Sequence, residues 1–289
     1  MRIQGRAPVM AIVATLACIG TSGCGKRDTA SPVATPSVQL PGGPIESNTL
    51  APLRYRFAVA ADAPPFSEDY VVFVHALDPS GRTLWSDDHA PATPTREWKA
   101  GSVVEYTRET LIPASAPVGQ AELEIGLYAP NTGERLPLSG TTKGLRAYRV
   151  ATLDVKRGSA PLYRDGWNNA EVADGIEWRW TKAVSTMAFR NPGKDVTLVL
   201  VVDQPVLELP PPQVQVRVRD MVIGTFQLTP GARQVRRLPV PASALIDAVY
   251  APVTLTVDHT FVPKTIARLH NPDARELGIR VFAAYFQQP

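Results

Sequence analysis

Short runs in which every second residue is apolar recur along this sequence, and they constrain its fold more than any other feature. In the run LRYRFAV (residues 53–59), the apolar residues alternate with two arginines and an alanine. Because successive side chains of a β-strand point to opposite faces, this period predicts a strand with one buried face. No segment keeps a helical period over three turns, and 28 prolines and 20 glycines interrupt the chain. The sequence therefore predicts an all-β protein.

The predicted strands fall into two sets. Seven strands with turn signals between them predict an antiparallel, immunoglobulin-like β-sandwich over residues 50–157. Its strands are predicted at residues 53–61, 70–77, 82–86, 103–111, 121–128, 134–138 and 147–155. Eight more strands and one short helix, at residues 241–248, predict a second antiparallel, jelly-roll-like sandwich over residues 160–289. Those strands are predicted at residues 176–180, 184–190, 196–203, 213–219, 223–228, 233–240, 253–258 and 277–286.

Residues 1–23 have the features of a bacterial export signal. Two arginines precede an apolar run at residues 7–20, which is too short to cross a bilayer as a helix of about 20 residues. The segment TSGC that follows resembles the lipobox of bacterial lipoproteins, although Thr21 stands where that motif prefers an aliphatic residue. The resemblance implies that Cys24 is lipidated and becomes the first residue of the mature chain. An ordinary cleaved signal peptide and an uncleaved membrane anchor are the alternatives.

Cysteine count and charge limit what the rest of the chain can do. Both cysteines, Cys18 and Cys24, lie in the N-terminal region, so neither a disulfide nor a thiolate metal site is expected in the folded domains. By the same resemblance, Gly25 after the cysteine implies the outer membrane, facing the periplasm. Residues 24–49 can bury too little apolar surface to offset the conformational entropy lost on ordering. This segment therefore predicts a flexible linker. The net charge of +3 is too small to indicate a nucleic-acid partner, and the arginines of residues 233–240 are predicted to lie on a strand face.

Three segments of the first predicted sandwich follow one another in an order known from one group of envelope proteins. They are YVVFVHALDPSGRTLWSDDHAP (70–91), TREWKAGSVVE (95–105) and LIPASAPVGQAELEIGLYAPNTGERLPL (111–138). Together they resemble the periplasmic β-sandwich modules attached to membrane-embedded glycosyltransferases that use lipid-linked sugars. The segment FVPKTIARLHNPDARELGIRV (261–281) resembles another module of such proteins. No multi-span transferase precedes these segments in the sequence, so the resemblance implies an accessory role without catalysis.

The stretch from His75 to His89 concentrates polar residues that could bind a metal ion. Asp87, Asp88 and His89 follow a predicted strand, and aspartates in a loop suit calcium. Adjacent aspartates on an extended chain point to opposite faces, so they do not form the carboxylate pair of a glycosidase. Asx-turn hydrogen bonds are the simpler interpretation, and no metal is expected. His75 is predicted to be a hydrogen-bonded core residue on the same apolar face as Phe73.

Aromatic residues and one arginine are the candidates for ligand binding, since tryptophan can stack on a sugar ring. Trp178 and Trp180 share one face of a predicted strand, which favours core packing. Trp98 and Trp167 lie in predicted loops and are better candidates. Arg275 is the third candidate, although its segment HNPDARELG also predicts a single helical turn, capped by the asparagine, that closes the fold.

We therefore expect a lipid-anchored protein of the cell envelope with a non-catalytic role in binding or scaffolding. Recognition of a glycan or glycolipid is the sharper hypothesis. No nucleotide-binding, serine-hydrolase or metalloprotease motif occurs, and neither a catalytic residue nor a cofactor is expected. Two alternatives remain open. One is a carbohydrate-active enzyme whose carboxylates converge from distant strands, and the other is a protein-binding subunit of an envelope complex that uses an exposed sheet edge.

Overall fold

The computed structural model describes residues 30–142, 144–245 and 249–288. Over these ranges the chain forms nineteen β-strands and four short 3₁₀ turns, without an α-helix, so the all-β prediction is confirmed. None of the helical segments described is long and apolar enough to cross a membrane. Residues Ser31–Pro289 form one compact unit that contains two β-sandwiches. The predicted export signal, with Cys24, lies outside the described residues.

The first sandwich contains nine strands. They are β1 (Ala34–Gln39), β2 (Ile45–Glu46), β3 (Thr49–Val59), β4 (Val71–Leu77), β5 (Thr83–Ser86), β6 (Val103–Ile112), β7 (Gly119–Tyr128), β8 (Thr141–Thr142) and β9 (Tyr148–Lys156). Sheet 1 has the order β1-β3-β6, and sheet 2 has the order β2-β9-β7-β4-β5, with β8 paired to β9. Without the two-residue strands β2 and β8, seven strands remain. Numbered along the chain, they lie in the orders first-second-fifth and seventh-sixth-third-fourth, as in an immunoglobulin-like sandwich.

The second sandwich contains ten strands. They are β10 (Leu162–Tyr163), β11 (Glu171–Ala173), β12 (Ile176–Trp180), β13 (Val184–Arg190), β14 (Val196–Asp203), β15 (Gln213–Val218), β16 (Met221–Gln227), β17 (Gln234–Val240), β18 (Tyr250–Val257) and β19 (Arg280–Gln287). Sheet 3 has the order β10-β13-β18-β15-β16, and sheet 4 has the order β11-β12-β19-β14-β17. Strands β12 to β19 are the eight predicted ones. As in a jelly roll, each passes to the other sheet from the one before it, except that β15 and β16 are neighbours in sheet 3. The predicted short helix is a 3₁₀ turn at Ala242–Leu245, and its last residues lie outside the described ranges.

Two predictions about the first sandwich are wrong. Residues 34–39, which were assigned to the flexible linker 24–49, form β1 and pair antiparallel with β3. Ala34 and Pro36 are buried, so this polar-looking segment still presents an apolar face. Proline is tolerated there because β1 is the edge strand of its sheet. The predicted strand at 134–138 makes only an isolated bridge from Arg135 to the end of β7.

Strand β14 is apolar on both faces because both of its faces are covered. Leu198 and Leu200 point into the core of the second sandwich, between sheets 3 and 4. Val199 and Val201 point the other way and belong to the same buried cluster as the core of the first sandwich. Phe282 of β19 lies on that outer face too. Sheet 4 is therefore a shared wall, which accounts for the uninterrupted apolar run VTLVLVVD in a strand of antiparallel pairs.

Polar contacts fix the position of one sandwich against the other. The amide of Asn48 donates a hydrogen bond to the carbonyl oxygen of Ala284 at 3.0 Å. The hydroxyl of Tyr285 accepts from the backbone N–H of Leu50 at 3.3 Å. Arg237 of β17 forms an ion pair with the carboxylate of Glu109 of β6. Side chains that line the junction are consequently held by two packed domains rather than by a flexible linker.

The tight turn between β11 and β12 lies directly against β5. Gly175 in this turn has a φ of +75°, and a Cβ atom there would overlap the carbonyl oxygen of Leu84. The hydroxyl of Ser115 donates to the carbonyl oxygen of Gly175 at 2.9 Å, which holds the turn from the other side. Only glycine satisfies both the left-handed conformation and this close approach. The turn thereby forms one wall of the cavity described next.

Candidate ligand site at the junction of the two sandwiches

The aspartates that the sequence singled out point in different directions. Asp87 accepts two hydrogen bonds from the guanidinium of Arg108, both at 2.9 Å, and a third from the hydroxyl of Thr110 at 2.9 Å. Asp88 accepts from the backbone N–H of Val74 at 3.1 Å. The Asx-turn interpretation is wrong for both residues, because their partners lie on neighbouring strands. Across the described residues, no group of three or more potential ligands could hold a metal ion.

An Asx turn does occur earlier in the same stretch. The carboxylate of Asp78 accepts hydrogen bonds from the backbone N–H groups of Ser80 and Arg82, at 2.9 and 3.0 Å. The N–H of Gly81 donates to the carbonyl oxygen of Asp78 at 2.9 Å, which closes the predicted type I turn between β4 and β5. Hydrogen bonds to its carboxylate lower the pKa of Asp78 to about 2, and the bond from the hydroxyl of Ser80 contributes most. Asp78 and Ser80 therefore stabilise the turn between the two strands.

His89 is buried within a small polar network. Its Nδ1 lies 2.9 Å from the carbonyl oxygen of Asp87, and its Nε2 lies 2.8 Å from the hydroxyl of Tyr106. Because a carbonyl oxygen only accepts, Nδ1 carries the proton and Nε2 accepts from the tyrosine hydroxyl. Burial lowers the pKa of His89, which is consistent with a neutral imidazole. The network has a structural role at the open edge of the first sandwich.

His75 does not lie in the core. The residues of β4 that face the core of the first sandwich are Val72, Val74 and Ala76. His75 is half-buried on the opposite face, where its ring lies 5.0 Å from the ring of Phe73. The prediction was wrong because this outer face of sheet 2 also carries large apolar residues, which made both faces of the strand look buried.

Two of the predicted ligand-binding residues are engaged in packing. Trp98 is buried, with 4% of its surface exposed, and its Nε1 donates to the carbonyl oxygen of Thr93 at 2.9 Å. Its ring packs against Phe57, so it has no free face for a sugar and this prediction is wrong. Trp167 is half-buried, and its Nε1 donates to the carbonyl oxygen of Thr186 at 2.8 Å. Trp167 thus serves mainly to anchor its loop to the second sandwich.

Arg275 is held between two carboxylates. Its guanidinium lies 2.7 Å from Glu171 of β11 and forms a further ion pair with Asp273. These partners raise the pKa of Arg275, with the bond to Asp273 contributing most. Arg275 therefore fastens its loop to sheet 4, as a closing latch. The predicted helical turn around it is wrong, because Asn271 accepts from the N–H of Asp273 in an Asx turn and no helix follows.

A cavity of about 280 Å³ lies where the first sandwich meets the outer face of sheet 4. Its walls come from β5, from the turn between β11 and β12, and from β12, β19 and the residue that precedes β17. The lining residues are Ser86, Ala173, Asp174, Ile176, Trp178, Arg233, Arg280 and Phe282. Such a volume lies just below the usual range for ligand sites, about 300–1,000 Å³. The cavity suits a group of the size of one sugar unit.

The register of the strands brings the side chains at the floor of the cavity together. Arg280 lies opposite Trp180 on β12 and opposite Asp203 on β14, so all three side chains share the outer face of sheet 4. The guanidinium of Arg280 donates to both oxygens of Asp203, at 2.7 and 2.6 Å. Its carbon atom lies 5.2 Å from the ring centres of Trp178 and Phe282. This arginine is therefore fixed by its ion pair and by cation–π contacts.

Arg233 is bound less tightly. Its guanidinium carbon lies 4.2 Å from the ring centre of Phe282, and the residue is exposed. No carboxylate lies within 4 Å of its nitrogen atoms among the described residues. Desolvation by burial lowers the pKa of Arg233. In the described part of the chain, no hydrogen bond or ion pair engages its N–H groups.

No pattern in the sequence indicated this cavity directly. Arg233 was assigned to a strand face, and Trp178 and Trp180 were assigned to the core. Trp180 is indeed buried, but Trp178 is only half-buried and lines the cavity. The useful signal was the alternation of Arg280 and Phe282 on β19, which places both on one face. The sequence does not show that β19 pairs with β12. The position of Arg280 and Phe282 beside Trp178 and Trp180 could therefore not be predicted.

Comparison with known proteins gives no family. No family model matches the sequence, and no curated protein matches it. Among solved structures, the secreted serine protease VesC from Vibrio cholerae matches with 9% identity and a TM-score of 0.24, covering 88% of this chain and 51% of VesC. The CBM51-2 and INT domains of Clostridium perfringens ZmpB match with 10% identity and a TM-score of 0.25, covering 59% of this chain and 38% of that one.

A structure from a study of carbohydrate-binding modules of the β-sandwich superfamily matches with 11% identity and a TM-score of 0.26. The match covers 89% of this chain and 100% of the matched structure. The chain thus spans about half of VesC, 38% of the ZmpB structure and the whole of the carbohydrate-binding module. At TM-scores this low, the likenesses carry no argument about function.

Proposed function

We propose that this chain is a non-catalytic binding protein of the bacterial cell envelope and that it holds a glycan in the junction cavity. The observation that supports the proposal is the composition of that cavity, in which Arg233, Asp174 and Ser86 adjoin the rings of Trp178 and Phe282. Sugars present hydroxyl groups that pair with such polar side chains and C–H surfaces that contact apolar ones.

The position of the cavity favours binding without rearrangement. Strands of both sandwiches form its walls, and the glycine turn at Gly175 is packed directly on β5. A site on packed strands needs little ordering when the ligand arrives, so less of the interaction energy is lost. Arg280 is already fixed by Asp203, and it gives the cavity a rigid floor.

The carboxylates near the cavity support binding rather than glycoside hydrolysis. A glycosidase needs two carboxyl groups that flank the bond to be cleaved. Both oxygens of Asp203 accept hydrogen bonds from Arg280, so this group is not available as an acid or a nucleophile. Asp174 lies in an exposed turn.

The envelope location is proposed from the sequence. The lipobox-like segment ending at Cys24 supports lipidation, and several acyl chains hold a protein on a membrane where one chain does not. We place the anchor in the outer membrane, with the sandwiches in the periplasm. Strand β1 begins at Ala34, so the tether after Cys24 is shorter than the predicted linker 24–49.

A glycan array probed with the purified full chain tests the binding role. We expect binding to a defined set of glycans and no release of sugar from them. Turnover of a bound glycan would support the enzyme alternative. An empty array, together with envelope proteins that co-purify in stoichiometric amounts, would contradict glycan binding in favour of the protein-partner alternative.

Labelling with radioactive palmitate tests the anchor. We expect the wild-type chain to be labelled in cells and the Cys24→Ser variant to be unlabelled. Continued labelling of the variant would contradict lipidation at this residue.

A further inference from the structure

We propose that the junction cavity binds an acidic sugar and that Arg233 receives its carboxylate. This inference rests on the proposed function, because it names the class of glycan that the cavity takes. Its basis is the pairing of the charged side chains around the cavity. In the described part of the chain, this pairing leaves Arg233 without a carboxylate partner.

Asp203 and Asp87 are the carboxylates whose charges raise the pKa of Arg233, and both are already engaged. Asp203 is bound at both oxygens by Arg280, at 2.7 and 2.6 Å. Asp87 is bound at both oxygens by Arg108, at 2.9 Å each. Each pair has no net charge, so the attraction of its carboxylate is offset by the repulsion of its arginine. Among the described residues, no carboxylate within 4 Å neutralises the positive charge of Arg233.

The contact with Phe282 prepares Arg233 to bind a carboxylate. The guanidinium lies over the ring, with its carbon atom 4.2 Å from the ring centre. An arginine stacked in this way keeps the N–H groups at its edge for a partner, and their spacing matches the two oxygens of a carboxylate. The ring also restricts the side chain, so less conformational entropy is lost when the ligand binds.

The rest of the cavity suits the hydroxyl groups of the same ligand. Asp174 and Ser86 line it, and an aspartate can accept hydrogen bonds while a serine can both donate and accept. A simple inorganic anion would use only Arg233, whereas an acidic sugar would use Arg233 and the hydroxyl-binding residues together. These features favour a sugar that carries a carboxylate over phosphate or a neutral sugar.

Isothermal titration of the purified full chain tests the inference. The ligands are an oligogalacturonate, the neutral galactose oligosaccharide of the same length, and inorganic phosphate. The proteins are the wild type, Arg233→Gln, and the control Arg190→Gln, which removes an exposed arginine at the end of β13, outside the cavity. We expect the wild type to prefer the acidic oligosaccharide by about tenfold to a hundredfold, the range for hydrogen bonds to a charged group.

We also expect Arg233→Gln to lose this preference while keeping its thermal unfolding temperature, and Arg190→Gln to keep the preference. Equal binding of the acidic and neutral oligosaccharides, or a preference that survives in Arg233→Gln, would overturn the inference and leave glycan binding intact. Phosphate that displaces the acidic oligosaccharide at equal concentration would overturn it in favour of a general anion site. Failure of both oligosaccharides, with no signal on a glycan array, would instead count against the proposed function itself.

Discussion

Arg280 of β19 donates two hydrogen bonds to Asp203 of β14, directly across the strand pair, and this ion pair forms the floor of the junction cavity. The side chains are 22% and 8% exposed, so the pair is largely withdrawn from water. Three aromatic rings surround the arginine, those of Trp178, Trp180 and Phe282. Each partner is buried at an acceptable energetic cost only because the other is present.

We expect Asp203→Ala to destabilise the protein by about 3 kcal/mol, because it leaves the guanidinium of Arg280 buried without a counter-charge. Urea unfolding monitored by tryptophan fluorescence measures the change. The control is Asp154→Ala, which removes an exposed aspartate from β9 and should change the free energy of unfolding by less than about 0.5 kcal/mol. If the two variants have equal stability, the ion pair does not hold the floor of the cavity.

The close approach of Gly175 to β5 predicts a large effect of a single methyl group. Gly175→Ala must adopt a φ of +75° and must also displace the carbonyl group of Leu84. Gly193→Ala is the matched control, since its φ is +67° and its Cβ atom would meet no atom within 4 Å. We expect the control to lose about 1–2 kcal/mol, the cost of the left-handed conformation, and Gly175→Ala to lose at least about 2 kcal/mol more. Thermal and urea unfolding check this difference, and equal losses would show that the turn is not packed on β5.

Buried histidines predict a loss of stability in mild acid. Burial lowers the pKa of His89 and of His75 in the folded protein, so the unfolded chain binds more protons as the pH falls below about 6.5. Stability is therefore fully present above pH 6.5 and decreases as the pH falls toward the folded pKa values. We expect His89→Gln to show a smaller decrease than the wild type between pH 7.5 and 5.5. Unfolding free energies that depend equally on pH in the two proteins would contradict a neutral, buried His89.

The role of β1 predicts where the chain can be shortened. A chain that begins at residue 50 loses all six residue pairs between β1 and β3, as well as the hydrogen bonds of Asn48 to Ser159 and Ala284. It also exposes the edge of β3, which can then pair with other chains. We expect this chain to be aggregated or unfolded, whereas one that begins at residue 31 remains folded and monomeric by circular dichroism and size-exclusion chromatography. A folded, monomeric chain from residue 50 would restore the linker prediction.

Most strands could be predicted from the sequence because their apolar residues alternate clearly. All eight main strands of the second sandwich were found, although β14 was recognised from its short, uninterrupted apolar run. Strand β1 was not found, because Pro36 and small polar residues hide its buried face and because an edge strand tolerates proline. Trp98 was predicted to be a ligand-binding residue because it lies in a predicted loop, but a 3₁₀ turn, Thr95–Glu97, folds it onto Phe57.

The candidate site was beyond the reach of sequence patterns because it depends on long-range register. Ser86, Trp178, Arg233 and Arg280 come from four separate places in the chain. Periodicity shows which face of its own strand each residue occupies, but not which strand lies next to it. The pairing of charges also depends on strand register. Arg280 differs from Arg233 because Asp203, on the neighbouring strand, forms an ion pair with Arg280.

The central claim is that a glycan occupies the junction cavity, and a glycan array with two neighbouring variants of β11 tests it most directly. Ala173→Trp would fill the cavity, which Ala173 lines, without burying a new side chain in the core. Val172→Trp places the same group on the next residue, which is 58% exposed and points away from the cavity. We predict that the wild type and Val172→Trp bind the same glycans and that Ala173→Trp binds none of them. Retention of these signals by Ala173→Trp, or an empty array for the wild type, would contradict the claim.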